Sequence, residues 1–141
     1  MSRATENRFA VRALDRPHAN RRIVDGAWWP HTLTLEDEVS DLIASAARAG
    51  FDTRYITYCL EGWATRPRKV VVDDMRIKLG GYRGQAEHTI TLIDGSDRGR
   101  LEIVVVPPDT PYDVARRALA AASDVHGGDD PADEILTCAY R

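Results

Sequence analysis

Five β-rich segments joined by short connections fill the middle of the sequence. They are residues 54–60, 69–72, 75–79, 88–93 and 101–106. The dipeptide Asp73-Asp74 separates two of them and predicts a two-residue hairpin, and a turn-rich stretch at 94–99 predicts a second hairpin with a longer loop. Short connections favour antiparallel neighbours. The sequence therefore predicts a mainly antiparallel sheet.

Two amphipathic helical patterns flank these strands, at about residues 34–50 and 111–125. Thr34 begins a capping-box pattern in the first, and Thr110 is the expected N-cap of the second. Each pattern has a single apolar stripe, which indicates burial on one side. With a further strand near residues 9–13, we predict an α+β fold: a mainly antiparallel sheet of about five to seven strands with two helices packed on one face.

Length and composition indicate one globular domain. The chain has 141 residues, of which 43% are hydrophobic and 29% are charged, close to globular averages. We predict a flexible basic N-terminus at residues 1–8, a single α+β domain at 9–126 and an acidic C-terminal tail at 127–141.

The sequence also indicates a cytoplasmic protein without a membrane segment. No apolar run approaches the roughly 20 residues that a membrane helix needs, and the N-terminus lacks the apolar core of a signal peptide. Cys59 and Cys138 form no CxxC pair, and the histidines lack HxH or HExxH spacing, so we expect no metal site. No nucleophile motif or phosphate loop is present, so no cofactor is predicted and the catalytic residues stay unknown.

Two consecutive tryptophans, Trp28 and Trp29, are the first candidate binding residues. Neighbouring side chains on a strand point to opposite faces, so only one of them is expected in the main core. We expect at least one ring to keep an open surface beside Tyr82 or Arg83, at the rim of a pocket or in a dimer contact, because an exposed tryptophan is a good anchor for a partner. The alternative is that both rings are buried.

Arg83 and His88 are the other candidates near a turn. Arg83 follows a glycine pair, which suits either a site for a phosphate or carboxylate, or a simple turn between strands. His88 shares the parity of Ile90 and Leu92, which predicts a buried, hydrogen-bonded imidazole. His88 and Arg83 would form an acid–base site with Asp25 if the fold brought the three together.

Four segments together resemble a family of small bacterial proteins classed as a domain of unknown function. They are DGAWWP at 25–30, LGGYR at 79–83, HTITL at 88–92 and VVPPDT at 105–110. The resemblance covers about residues 9–125. It implies a small cytoplasmic protein without an assigned activity, and it supplies no catalytic residues.

Three functions stay open at this point. The favoured hypothesis is a protein- or ligand-binding module without catalysis, with a homodimer, a protein partner or a small molecule at the tryptophans. The second is a small enzyme that uses the acid–base site described above. The third is a nucleic-acid binder with a basic, stacking strand face formed by Arg21, Arg22, Trp28 and Tyr82, against which the net charge of −3 argues.

Overall fold

Seven strands and three helices make up the part of the chain that the structure describes. The computed structural model describes residues 8–12, 24–95, 99–124 and 130–141. In chain order the elements are β1 (Phe9–Val11), β2 (Gly26–Trp28), α1 (Leu35–Arg48), β3 (Thr53–Cys59), β4 (Lys69–Val72), β5 (Met75–Tyr82), β6 (Thr89–Asp94), β7 (Arg100–Val105), α2 (Tyr112–Ser123) and α3 (Ala132–Ala139).

All seven strands form one mixed sheet in the order β1-β2-β7-β6-β3-β5-β4. Four neighbouring pairs are antiparallel, and the pairs β2–β7 and β3–β5 are parallel. The prediction of an α+β fold with a mainly antiparallel sheet is therefore confirmed.

The β4–β5 hairpin closes through the two aspartates at its turn. Asp73 and Asp74 have φ values of 51° and 63°, both in the left-handed region, as a tight turn of the type I′ class requires. The strands then pair antiparallel from Val72 opposite Met75 to Lys69 opposite Lys78. The predicted hairpin is confirmed, and so is the second one, since β6 and β7 pair antiparallel.

Replacing Asp74 with Gly is expected to raise the free energy of unfolding by about 0.5–1 kcal/mol, because glycine adopts a positive φ without the steric cost of a Cβ. Urea denaturation of the two proteins measures the difference. Asp74→Ala is the matched control, since it removes the carboxylate and keeps the Cβ, and it should show no gain. An equal gain in both variants would contradict the explanation by backbone strain.

The sheet carries a separate hydrophobic core on each face. On one face α1 packs with Trp28 and the inward residues of β3, β5, β6 and β7, such as Ile56 and Ile103. On the other face α2 and α3 pack with Ala27, Trp29 and Val104 at the β1–β2–β7 end of the sheet. The helices thus lie on opposite faces.

The prediction that both helices pack on one face is therefore wrong. Strands β2 and β7 are apolar on both sides, with Ala27 beside Trp28 and Val104 beside Val105, so each of their faces needs a cover. Part of the predicted acidic tail at 127–141 is helical in the structure. Ala132–Ala139 forms α3, whose apolar residues pack against α2. The predicted N-terminus at 1–8 lies, apart from Arg8, outside the described residues.

The helix starts differ in detail from the capping patterns. Thr34 is the N-cap of α1 but makes no side-chain cap, and Pro111 rather than Thr110 is the N-cap of α2. The buried Glu38 fixes the entry to α1 instead. Its carboxylate accepts hydrogen bonds from the backbone N–H of His31 at 2.8 Å and from the hydroxyl of Thr32 at 3.0 Å.

None of the helices that the structure describes has the length and apolar character needed to span a membrane.

Candidate functional site

A cavity of about 370 Å³ lies at one edge of the sheet. Strands β2, β3, β5 and β7 run in the same direction, so their carboxyl ends meet there. The loops that follow these four strands, with the start of β6, form the walls. Small-molecule sites in proteins span about 300–1,000 Å³, so this cavity has the size of a ligand site.

The interior of the cavity is mainly apolar. Trp63, Cys59 and Val105 line it and are buried in the fold, and Leu33 reaches it from the β2–α1 loop with 44% of its surface exposed. Pro107 and Pro108 form the wall on the side of α2. An apolar ligand in this space would bury its own surface against rigid side chains, which favours binding.

The mouth of the cavity is acidic. Glu61, Glu87 and Asp109 line it, and all three are exposed. No lysine or arginine belongs to the lining, and His88 is the remaining ionisable side chain there apart from Cys59. The described lining therefore favours cations over anions.

Trp28 supports one wall of the cavity from behind. Its ring stacks on that of Trp63, with centroids 5.9 Å apart and an angle of 29° between the planes. Offset stacking of this kind adds to the gain from burial. Trp28 is 3% exposed and does not line the cavity, so it acts on a ligand only through Trp63.

Trp29 supports the opposite wall. Its indole Nε1–H donates a hydrogen bond to the carbonyl oxygen of Pro107 at 3.1 Å, and it lies 3.4 Å from the carbonyl oxygen of Pro108. The guanidinium of Arg8 lies 3.9 Å from the centre of the ring, within the range of a cation–π contact. Trp29 thereby holds the proline segment in place.

The expectation of an open tryptophan is wrong. Trp28 and Trp29 do point to opposite faces, but they are only 3% and 6% exposed. The reason is that both faces of the sheet carry a core at β2, so neither ring is left over for solvent. Neither lies at a pocket rim beside Tyr82 or Arg83.

His88 lines the cavity and is exposed, which contradicts the prediction of a buried imidazole. Its φ is 62°, so the chain turns at this residue and the strand parity with Ile90 does not extend to it. β6 begins only at Thr89, and the carbonyl of His88 accepts the N–H of Val105 at 2.7 Å. A non-glycine residue in the left-handed region is uncommon, and such residues cluster at ligand sites.

Asp25 lies far from His88, so the predicted acid–base site does not form. Asp25 pairs with Glu102: its carboxylate accepts the backbone N–H of Glu102 at 2.9 Å. His88 is bonded to Val105, three residues further along β7, and three strand residues span about 10 Å. Asp25 fastens the start of β2 to β7, which is a structural role.

Glu102, which lies beside Asp25, has a raised pKa because burial disfavours its ionised carboxylate. The hydrogen bond from Thr91 and the nearby Arg100 lower the pKa of Glu102 in part.

Arg83 is exposed and lies beyond the end of β5. Tyr82 is 49% exposed and bonds through its hydroxyl to Tyr55, away from the cavity.

Sequence reasoning missed most of the cavity. Trp63 and residues 107–108 line the cavity but are not among the candidate residues named from the sequence. The information that locates the cavity is the direction of the strands, since four loops distant in sequence meet only when their strands run the same way.

Among the residues that the structure describes, no three His, Cys, Asp or Glu side chains are grouped so as to hold a metal ion.

The chain matches a known family along most of its length. A family model described as a family of unknown function (DUF5994) matches residues 11–122. The match takes in every residue that lines the cavity, whereas α3 lies beyond it. No curated protein and no solved structure matches the chain. Because the match spans well over half of the sequence, this chain belongs to the family of unknown function DUF5994.

Proposed function

We propose that this protein binds a small organic molecule that has an apolar body and a positive charge. The cavity at the carboxyl ends of β2, β3, β5 and β7 is the binding site. The observation that carries the proposal is its lining: an apolar interior against Trp63, with three carboxylates and, among the described residues, no lysine or arginine at the mouth.

The apolar body of the ligand fits the rigid interior. Trp63 cannot easily turn away, because Trp28 stacks behind it. The segment at residues 107–108 is held by the indole of Trp29, and proline itself has a fixed φ. A site with pre-set walls loses little conformational entropy when a ligand enters, which supports affinity.

The positive charge fits the mouth. Glu61, Glu87 and Asp109 provide attraction, and a cation over the face of an indole gains further energy from the ring quadrupole. The loop that carries Glu87 is anchored by Gln85, whose amide donates to the carbonyl oxygens of Thr57 and Thr89 at 3.2 Å each. Glu87 therefore lies on a loop that is hydrogen-bonded to the sheet through Gln85.

The test compares benzyltrimethylammonium with its neutral isostere neopentylbenzene. We expect the cation to bind about 10-fold more tightly, from cation–π and carboxylate attraction. The indole N–H resonances in a nitrogen–proton NMR spectrum follow the titration, with the signal of Trp63 identified from a Trp63→Phe variant. The signal of Trp63 should shift most, because its ring lines the cavity.

A triple variant, Glu61→Gln, Glu87→Gln and Asp109→Asn, separates the charge from the shape. It should weaken binding of the cation by about 3- to 10-fold and leave neopentylbenzene unchanged. The control removes three exposed carboxylates that lie outside the lining, at Asp41, Asp74 and Asp133, and keeps the same net charge as the first variant.

The outcomes separate the parts of the proposal. If neither compound shifts the signal of Trp63, the cavity is not a site for such ligands and the proposal fails. If both bind equally well, or if phenylacetate binds more tightly than the cation, the assigned charge of the ligand is wrong. Equal effects of the two triple variants would also contradict the role of the mouth carboxylates.

A further inference from the structure

A second surface lies on the sheet face turned away from α1, across β3, β4 and β5. We call it the open face and define it by Tyr55, Lys69, Val71, Arg76, Lys78 and Tyr82. These residues alternate with the residues that point to α1, such as Ile56, Ile77 and Leu79. No described helix covers them: α2 and α3 pack at the other end of the sheet. Val71 is 64% exposed and Tyr82 is 49% exposed.

The open face concentrates unpaired positive charge. The chain has only two lysines, and Lys69 and Lys78 lie directly opposite each other in the β4–β5 ladder. Like charges at opposed positions destabilise a sheet. Arg76 lies two residues before Lys78 on the same side of β5. None of the three makes an ion pair with any described residue, and no Asp or Glu lies on this face of the three strands.

The two tyrosines of the open face, Tyr55 and Tyr82, form an aromatic platform beside the cations. The hydroxyls of Tyr55 and Tyr82 lie 3.1 Å apart, and both side chains lie over Gly80. A Cβ at Gly80 would come within 2.6 Å of Tyr55 Oη and 3.0 Å of Tyr82 Cε2, so the absence of a side chain there lets the platform form. The hydrogen bond to Tyr82 and, to a lesser degree, burial raise the pKa of Tyr55.

The same face continues across the sheet as far as Arg100, whose guanidinium pairs with the carboxylate of Glu102 at 3.6 Å. The ladder places Tyr55 beside Lys78 on one side and beside Ile93 on the other, and Ile93 lies opposite Arg100. A row from Lys69 to Arg100 crosses five strands, which is about 19 Å at the usual strand spacing. Such a width accommodates an extended chain of several charged units.

We propose that the open face binds single-stranded nucleic acid. Phosphates contact Lys69, Arg76 and Lys78, and a base stacks on the tyrosine platform, as aromatic and basic side chains combine in single-strand binding. A symmetric dimer through this face is disfavoured, because it would bring the cations of one copy against the same cations of the other. A duplex would offer no unstacked base to the rings. The proposal does not depend on the cavity.

The test measures anisotropy of a fluorescein-labelled single-stranded DNA of about 12 nucleotides with the full chain. We expect saturable binding at about 50 mM salt and a slope of log affinity against log salt concentration near −2, because three cations displace counterions at about 0.7 each. Tyr82→Ala should weaken binding by about 5- to 140-fold, whereas Tyr82→Phe keeps the ring and should change it little.

The double variant Lys69→Gln, Lys78→Gln should lower the salt dependence of binding and raise the thermal stability of the protein. It should reduce the salt slope by about 1.4, and it should raise the melting temperature by about 1–4 °C because the like-charge pair is gone. The matched control, Arg48→Gln with Arg66→Gln, removes two exposed positive charges outside the open face and should leave the slope unchanged.

Three results would overturn the proposal. The first is no saturable binding at low salt by the folded wild type. The second is equal competition by polyglutamate, which would indicate an acidic protein as the partner. The third is equal affinity for the duplex of the same sequence, or no change in affinity on Tyr82→Ala, since either would exclude base stacking on the platform.

Discussion

Replacement of Trp28 by Ala is expected to lower the free energy of unfolding by about 3–5 kcal/mol, the usual cost of removing a large aromatic ring from a core. Trp28 is 3% exposed and belongs to the core between α1 and the sheet. Its removal also leaves Trp63 without its stacking partner. Chemical denaturation gives the stability, and we expect the variant to bind benzyltrimethylammonium more weakly because one wall of the cavity loosens.

The control for this prediction is Tyr140→Ala. Tyr140 is 61% exposed at the end of α3, so its loss should change the free energy of unfolding by about 0.5 kcal/mol or less. A loss below about 1 kcal/mol at Trp28 would show that the ring is not a tightly packed part of the core. Unchanged ligand binding in a destabilised Trp28→Ala protein would disprove its support of the cavity wall.

Replacement of Gly26 by Ala is expected to cost about 3 kcal/mol, at the upper end of the range for overpacking. Gly26 pairs with Val11 of β1 on one side and with Ile103 of β7 on the other. A Cβ at Gly26 would overlap the carbonyl oxygen of Ala10 and come within 2.8 Å of Val11 Cα. Both are backbone atoms, so the overlap is relieved only if β1 separates from the sheet.

Gly84→Ala is the matched control, because the same Cβ at Gly84 would meet nothing within 4 Å and its backbone is outside the left-handed region. We expect little change there. Hydrogen exchange adds a local measurement: in Gly26→Ala the amide of Trp29, which is bonded to the carbonyl of Arg8, should lose protection. Equal stability of the two alanine variants would show that β1 adjusts without cost.

The two proposed binding surfaces differ in shape, in polarity and in the sign of their charge. The cavity is concave and apolar with an acidic mouth, whereas the open face is flat, aromatic and basic. The net charge of −3 therefore averages two local fields of opposite sign, which is why it says little about either site.

Local patterns predicted the elements of this fold well. The helix α1 follows from one apolar stripe with acidic residues in its first turn, and the β4–β5 hairpin follows from Asp73-Asp74, two residues that tolerate a positive φ. The antiparallel β6–β7 pair follows from two β-rich runs around a turn-rich stretch. These features depend on interactions between residues close in sequence, so their signals are present in the sequence itself.

The candidate site was predicted only in part. His88 was named for a parity that its φ of 62° breaks, yet it does line the cavity. Trp28 and Trp29 were named as anchors, and both instead support walls from behind, through Trp63 and Pro107. Their importance was visible from residue type, but the direction in which a ring points depends on which faces of the sheet are covered.

What the sequence alone determined is the helices α1 and α2, the two hairpins, the α+β class, and the turn chemistry at residues 73–74, whereas α3 was not predicted. Only the tertiary structure decided the parallel pairs β2–β7 and β3–β5, the opposite positions of α1 and α2, and the meeting of four loops around the cavity. The physical reason is that pairing between distant strands depends on the packing energy of the whole sheet. An apolar residue is satisfied by any partner that excludes water, so its identity does not specify which distant segment will cover it.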